Sequence, residues 1–451
     1  MKNIRKFNTT AAMDAATLED VSVNYNVETG GVVTVNKPSV IDYSAMYTTF
    51  EALEDGTFSF TKIGTGEDIQ YSKDNGSTWT PLASGETVSV VTGDKVMWKS
   101  TITPGYGRKS GIGYFSSNNK FNVYGNSMSL LYGDNFKEQT SLEGKDGAFD
   151  DLFKNCSYLI EASTLILPAT TLGKSCYADM FSGCTSLTTA PELPATTLSD
   201  NCYYGMFNGC SSLTTAPELP VTTLSDNCYY GMFKGCSSLT TAPELPATTL
   251  ANDCYLEMFS DCTSLTIAPE LLATTLAIGC YYVMFQGCTN LTTAPELPAT
   301  TLANDCYLEM FKGCTSLTTA PELPATTLAR ACYRSMFSGC TSLTTAPELP
   351  ATTLADYCYY GMFNNCESLT NAPELPATTL ANSCYYSMFS GCTSLKHITM
   401  LATNISEYNC LNNWVNNVSS TGTFVKHPDM TSLPTGTSGI PNGWTVEDAV
   451  L

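Results

Sequence analysis

A 26-residue sequence recurs about nine times in tandem, and this repetition limits what the chain can fold into. The copy "CYYGMFNGCSSLTTAPELPVTTLSDN", residues 202–227, is followed directly by "CYYGMFKGCSSLTTAPELPATTLAND". A unit this short cannot bury an apolar face alone, so neighbouring copies must cover one another. The repetition therefore predicts a solenoid of about ten turns between residues 161 and 410.

Each copy carries an apolar pattern followed by a proline-containing segment. Five apolar residues share one face of a predicted short helix: Leu198, Cys202, Tyr203, Met206 and Phe207. Gly209 suits the residue that ends such a helix. The next segment, "LTTAPEL" from Leu213 to Leu219, predicts a short strand. Pro217 removes a backbone donor, so the predicted sheet is short or irregular.

All 20 cysteines fall into two series, which are expected to be structural together with Phe207 and Leu213. Cys202 and Cys210 represent the two series within one copy. On a helix they would lie about 12 Å apart, beyond the roughly 7 Å limit for a disulfide. Equivalent cysteines in adjacent copies come within reach, so a crosslinked framework stays open as an alternative. The favoured prediction is a ladder of buried free thiols, which is typical of folding in a reducing compartment.

Two sets of repeated side chains are candidate contact residues. A glutamate holds one position in eight copies and predicts a ligand-binding or cation-binding stripe: Glu192, Glu218, Glu244, Glu270, Glu296, Glu322, Glu348 and Glu374. The alternative is that the glutamates bind no ligand, and that solvent screens the repulsion between carboxylates spaced about 5 Å apart. Five tyrosines are expected to be exposed aromatic contacts for sugars or partner surfaces: Tyr204, Tyr230, Tyr282, Tyr360 and Tyr386.

The stretch "MFNGCSSLTTAPELP" resembles the leucine-rich repeat of BspA-like proteins, and the resemblance covers roughly residues 145–410. That family usually has alternating Ile and Leu where this chain has Ala-Pro-Glu. The resemblance implies short strands plus short helices in a leucine-rich-repeat-like solenoid. It also implies an interaction surface, often adhesive, without catalysis.

The remaining segments predict a chain of several parts. Residues 1–36 predict an N-terminal docking module, with a capped helix and then a Gly-Gly hairpin. Residues 41–132 predict a small all-β sandwich, 133–160 an N-terminal cap with a partial repeat, and 411–451 a C-terminal cap. "SKDNGSTW" resembles an Asp-box, a hairpin motif in which Asp74 fastens the turn and Trp79 packs beneath it, so both are expected to be structural.

Charge and motif content exclude several functions. The net charge of −21 argues against nucleic acid, and the absence of an 18-residue apolar run argues against membrane insertion. The two histidines, His397 and His427, stand in no metal or triad spacing. We therefore expect no enzyme activity, no metal and no cofactor.

The leading functional hypothesis is a phage virion surface protein, either a fibre or a decoration of the head or tail. The N-terminus has no apolar segment typical of a signal peptide, whereas virions assemble in the reducing host cytoplasm. In this hypothesis residues 1–36 bind other virion proteins and the repeats bind a host surface protein or glycan. A homotrimer is expected by analogy with fibres. The alternatives are a bacterial cell-surface adhesin, an interaction scaffold and a glycan hydrolase.

Overall fold

The computed structural model describes Arg5–Phe7, Asn24–Asn26, Val32–Val33, residues 41–105 and residues 111–450. The chain divides into two units, Met1–Ala45 and Met46–Leu451. In the first unit β1 (Arg5–Phe7) pairs in parallel with β2 (Asn24–Asn26), and β2 pairs antiparallel with β3 (Val32–Val33). The β2–β3 pair agrees with the predicted hairpin. The helix predicted before it falls outside the described residues.

In the described residues between 48 and 126, eight antiparallel strands form two sheets. They are β4 (Thr48–Ala52), β5 (Gly56–Lys62), β6 (Ile69–Ser72), β7 (Thr80–Leu82), β8 (Thr87–Val90), β9 (Lys95–Lys99), β10 (Gly113–Ser117) and β11 (Phe121–Asn126). One sheet has the order β10-β5-β8, and the other contains β11-β4-β9-β6-β7. Phe50 on β4 joins the sheets, since its ring lies 5.3 Å from that of Phe58 and 4.7 Å from that of Phe115.

The second sheet continues into the repeats without a break. β11 pairs in parallel with β12 (Leu159–Glu161) and β13 (Leu165–Ile166). The ring of Phe153 stacks on Phe115 at 5.7 Å and on Phe181 at 5.4 Å. The apolar core of the strands is therefore continuous with the core of the repeats. The boundary predicted at residues 133–160 stays a prediction.

The predicted short helices are wrong. In the described ranges the α-helix α1 (Ser129–Tyr132) lies outside the repeats, and the segment around Cys202 consists of overlapping turns. Every fourth residue there has a positive φ, namely Asn201 (58°), Gly205 (56°) and Gly209 (72°), and in this copy Tyr203 (60°) does as well. A right-handed helix requires a negative φ at every residue, so this backbone cannot be helical. The five predicted apolar residues are nevertheless all buried.

Hydrogen bonds between copies stabilise this unusual backbone. The N–H of Cys210 donates to the Phe207 carbonyl at 3.0 Å, closing a local turn. Other N–H groups of the same segment donate to the next copy. That of Phe207 donates to the Met232 carbonyl (2.9 Å), and that of Gly209 donates to the Lys234 carbonyl (2.7 Å). The turns therefore alternate between local bonds and bonds that hold one copy to the next.

Substitution at one positive-φ position tests this backbone. Gly235 has a φ of 71°, and a β-branched side chain is a genuine outlier in that region. We expect Gly235→Val to lower the free energy of unfolding by about 2 kcal/mol. The matched control is Gly235→Asn, because Asn365 holds the equivalent position with a φ of 58°. Denaturant unfolding measures both, and an equal loss in the two variants would contradict the assigned conformation.

Proline limits the strand side of the repeats. Copies that contain Ala-Pro-Glu-Leu-Pro are joined by isolated parallel bridges, such as Thr189 with Thr215 and Thr319 with Thr345. Continuous strands form where the chain lacks this motif. There β14 (His397–Met400), β15 (Thr423–Lys426) and β16 (Thr445–Asp448) make a parallel sheet. The short, irregular sheet is as predicted, since proline cannot donate to a ladder.

The C-terminal segment covers the last copy. Trp414 is fully buried and its ring lies 6.1 Å from that of Phe389. Its Nε1 donates to the Gly439 carbonyl at 2.9 Å, which satisfies the buried indole. Among the described residues, no helix is both long and apolar enough to span a membrane.

Candidate binding surfaces

The five candidate tyrosines are half-buried, not exposed as predicted. The rings of Tyr204 and Tyr230 stack at 4.6 Å, as do those of Tyr360 and Tyr386. The guanidinium carbon of Arg334 lies 4.8 Å from the ring centre of Tyr360. Burial raises the pKa of Tyr230 to about 12. Both faces of Tyr360 are therefore in contact with the protein itself, which argues against sugar stacking there.

The candidate glutamates lie on a second surface, which we call the proline face. It consists of the Ala-Pro-Glu-Leu-Pro segment of each copy together with the residue before it, for example residues 215–220, and one copy has Leu272 in place of the last proline. All eight glutamates are exposed there. None of them belongs to an ion pair formed within the described part of the chain. The structure thus places the row where a partner can reach it.

Notches recur on the proline face between neighbouring copies. The notch between the copies of Glu192 and Glu218 has a volume of about 450 Å³ and is lined by Pro191, Leu193 and Pro217. Equivalent notches of about 370, 500 and 390 Å³ lie beside Glu244, between Glu296 and Glu322, and beside Glu348. Each is lined by alanine, leucine and proline side chains together with two glutamates. The sequence analysis missed the prolines as lining residues, although they recur with the same period as the glutamates.

The backbone of the proline face retains unused hydrogen-bonding groups. In the part of the chain that the structure describes, the N–H groups of Glu218 and Leu219 have no protein acceptor. At the C-terminal end, by contrast, the Leu375 N–H donates to the Thr399 carbonyl at 3.0 Å. Where the next copy also contains this motif these donors therefore stay unpaired, whereas the regular strand that follows Leu375 supplies an acceptor.

One copy departs from the others on this surface. Ile267 stands where neighbouring copies have threonine, and Leu272 where they have proline. Ile267 is 64% exposed and Leu272 is 47% exposed. Aliphatic side chains of this size rarely gain from exposure, so the centre of the proline face has an apolar contact area.

The cysteines are free and buried, as their spacing predicts. In the second series, from Cys184 to Cys392, each thiol donates to a phenylalanine carbonyl of the preceding copy at 3.0–3.1 Å. Burial raises the pKa of Cys202 and Cys306 to about 12, and that of Cys210 still further. Across the described ranges, no group of three or more His, Cys, Asp or Glu side chains is placed to hold a metal ion.

Asp74 and Trp79 occupy the hairpin between β6 and β7. The carboxylate of Asp74 accepts the Thr78 hydroxyl at 2.6 Å, the Thr78 N–H at 2.9 Å and the Ser72 hydroxyl at 2.7 Å. These bonds, led by that of the Thr78 hydroxyl, lower the pKa of Asp74 to about 2. The half-buried ring of Trp79 lies 4.9 Å from that of Tyr47, with the Lys99 amine 4.3 Å above it. Asp74 therefore holds the turn together, and Trp79 packs the hairpin against Tyr47 and Lys99.

The hairpin is expected to be sensitive to acid through Asp74. Its lowered folded-state pKa means that the contribution to stability is present above about pH 4 and is lost as the pH falls toward 2. Asp74→Ala should speed hydrogen exchange in residues 69–82. The difference in unfolding temperature between the wild type and Asp74→Ala should become smaller as the pH falls from about 4 to about 2. Glu67→Ala, which changes a nearby exposed carboxylate, is the control; an equal effect of both variants would contradict the assignment.

Stacked copies with an apolar core and a short-strand side define a leucine-rich repeat protein. The chain matches the BspA type Leucine rich repeat region (6 copies) over residues 149–292, 203–344, 252–373 and 309–426. Together these matches span more than half of the 451 residues, so the chain belongs to the BspA type leucine-rich repeat family. No curated protein and no solved structure matches the chain.

Proposed function

We propose that this BspA-type protein is a non-catalytic adhesion or protein-binding protein whose repeats form a solenoid that presents the proline face to a partner. The observation that carries the proposal is the same exposed surface repeated on eight copies over one continuous core. Repetition of a binding surface raises avidity without any new type of contact. The exposed Ile267 and Leu272 at the centre of the surface support contact with another molecule.

The narrower proposal is a virion surface protein, a head or tail fibre or decoration, made in the host cytoplasm. Free thiols in every copy support folding under reducing conditions before the particle is released. In this proposal the all-β segment at 41–132 carries the array, residues 1–36 dock onto other virion proteins, and a homotrimer forms. A bacterial cell-surface adhesin is the second candidate.

Labelling of intact particles tests the location. An antibody raised against residues 161–410 is expected to decorate the surface of purified phage particles in electron micrographs. Labelling confined to bacterial envelopes would contradict the virion proposal and favour the adhesin.

Binding to host cells tests the function. The purified full chain is expected to bind host cells and to compete with particle attachment, without releasing reducing sugars from envelope glycans. Sugar release would contradict a purely binding role.

A further inference from the structure

We propose that the proline face binds an extended basic polypeptide, whose lysine or arginine side chains enter the notches between neighbouring glutamates. The inference rests on the proposed binding function and names the class of partner. It follows from three properties of the surface, namely its charge, its apolar lining and its unused backbone donors.

The charge of the surface selects a cation. Glu296 and Glu322 line the same notch between neighbouring copies, whose equivalent rings stack at 5.7 Å, so two like charges that repel each other share one site. The segment "TTAPELPATT" contains no basic residue, and the row forms no ion pair within the described ranges. A cationic group between two carboxylates removes this repulsion and pairs with both.

The lining of the notches selects a cation with an alkyl stem. Pro295, Leu297 and Pro321 form the walls of the notch beside Glu296. Lysine and arginine bury such stems on apolar surface while the charged end stays at the rim. A bare divalent ion would leave these walls unused and would need six or more oxygen ligands of the calcium type, which two carboxylates do not supply.

The backbone selects a polypeptide over a small polyamine. The N–H groups of Glu218 and Leu219 have no acceptor in the described part of the chain, and an incoming peptide brings carbonyl oxygens to them. The side chain of Leu219 is buried, so its backbone is held in place for such pairing. Neither a polyamine nor a metal ion can satisfy these donors.

The repeat spacing predicts which peptide fits best. Two copies advance by about 10 Å along the strand side. Three residues of a polyproline II helix advance by about 9 Å and return to the same side of the peptide. A peptide with lysine at every third position should therefore reach alternate notches, whereas lysine at every second position should fit poorly.

The test uses the full chain and a fluorescent twelve-residue peptide with lysine at every third position. Replacing the eight glutamates of the row by glutamine is expected to weaken binding by about 30-fold, because about four exposed ion pairs act together. The matched control removes eight exposed carboxylates elsewhere: Glu67→Gln, Glu86→Gln, Glu138→Gln, Glu143→Gln, Glu367→Gln, Glu407→Gln, Glu447→Gln and Asp356→Asn. This control variant should bind the peptide with an affinity within about threefold of that of the wild type. Circular dichroism verifies that both variants fold.

Several outcomes would overturn the inference. Equal losses in the two variants would mean that net charge alone attracts the peptide. Binding of spermine or Ca²⁺ that depends on the row, with no peptide binding, would assign the row to a small cation. Host-cell binding of the same variants separates this inference from the proposed function. If the glutamine variant loses the peptide but still coats cells, the named partner class is wrong while the adhesive role remains.

Discussion

Raising the pH from about 8 to about 10 in the presence of a reductant is expected to unfold the repeats. Burial raises the pKa of Cys254, Cys262 and Cys306 to about 12, whereas an exposed thiol ionises near 8.5. Because the folded-state pKa is raised, the stabilisation is fully present below about pH 8.5 and is lost as the pH rises toward 12. At pH 9.5 each buried thiol lowers the free energy of unfolding by about 1.4 kcal/mol relative to its value at neutral pH. All of the 20 thiols except Cys410 have a strongly raised pKa, so their combined cost is of the same order as the roughly 0.05–0.15 kcal/mol per residue that stabilises a folded chain.

Circular dichroism after overnight incubation measures this transition, and a pH-stat measures the protons released. A variant with Cys288→Ala, Cys314→Ala and Cys340→Ala should release fewer protons on unfolding, even though it is less stable at pH 7. If the repeats stay folded at pH 10.5 under reducing conditions, the thiols are not buried as described.

In denaturant without reductant, all 20 thiols should react with iodoacetamide, because none is crosslinked.

Replacing Phe285 by alanine is expected to lower the free energy of unfolding by about 3–5 kcal/mol. The ring is fully buried and stacks on Phe259 and Phe311, at 5.7 Å from each. Truncation therefore leaves a cavity between three copies and weakens the contact between the two halves of the array. Since copies are coupled mainly to their neighbours, we expect two unfolding transitions instead of one. Urea denaturation followed by circular dichroism measures both effects.

A conservative substitution at Phe285 and a substitution at the next residue are the controls. Phe285→Leu keeps much of the apolar volume and should cost about 1.5 kcal/mol or less. Gln286→Ala, at a half-buried polar position, should change stability by no more than about 0.5 kcal/mol. If Phe285→Ala costs no more than Gln286→Ala, the stacked phenylalanines are not the main support of the array.

Much of the core was predictable because burial depends on residue type and period alone. Phe207 and Leu213 are apolar at fixed positions of a unit that must stack, so they are buried whatever backbone carries them. The free thiols followed from spacing, and the irregular sheet followed from Pro217, because a missing donor is a local property. The same periodic residues carry the resemblance to the BspA type leucine-rich repeat family, and the family match covers them.

Other features depended on contacts between copies and could not be predicted from one copy. The period of Leu198, Cys202 and Phe207 favours a helix, yet bonds such as that from the Gly209 N–H to Lys234 stabilise left-handed residues that a helix excludes. Glycine, asparagine or aspartate at the position of Gly209 in every copy was the available sequence signal.

The candidate surfaces show the same division. The sequence by itself determined which residues repeat, which are apolar and where the carboxylates stand along each copy. Only the tertiary structure decided that Tyr204 stacks on Tyr230 and that two copies enclose each notch of the proline face. The physical reason is that a hydrogen bond or a cavity between copies depends on the distance between two separate segments, whereas burial and proline chemistry act on each segment alone.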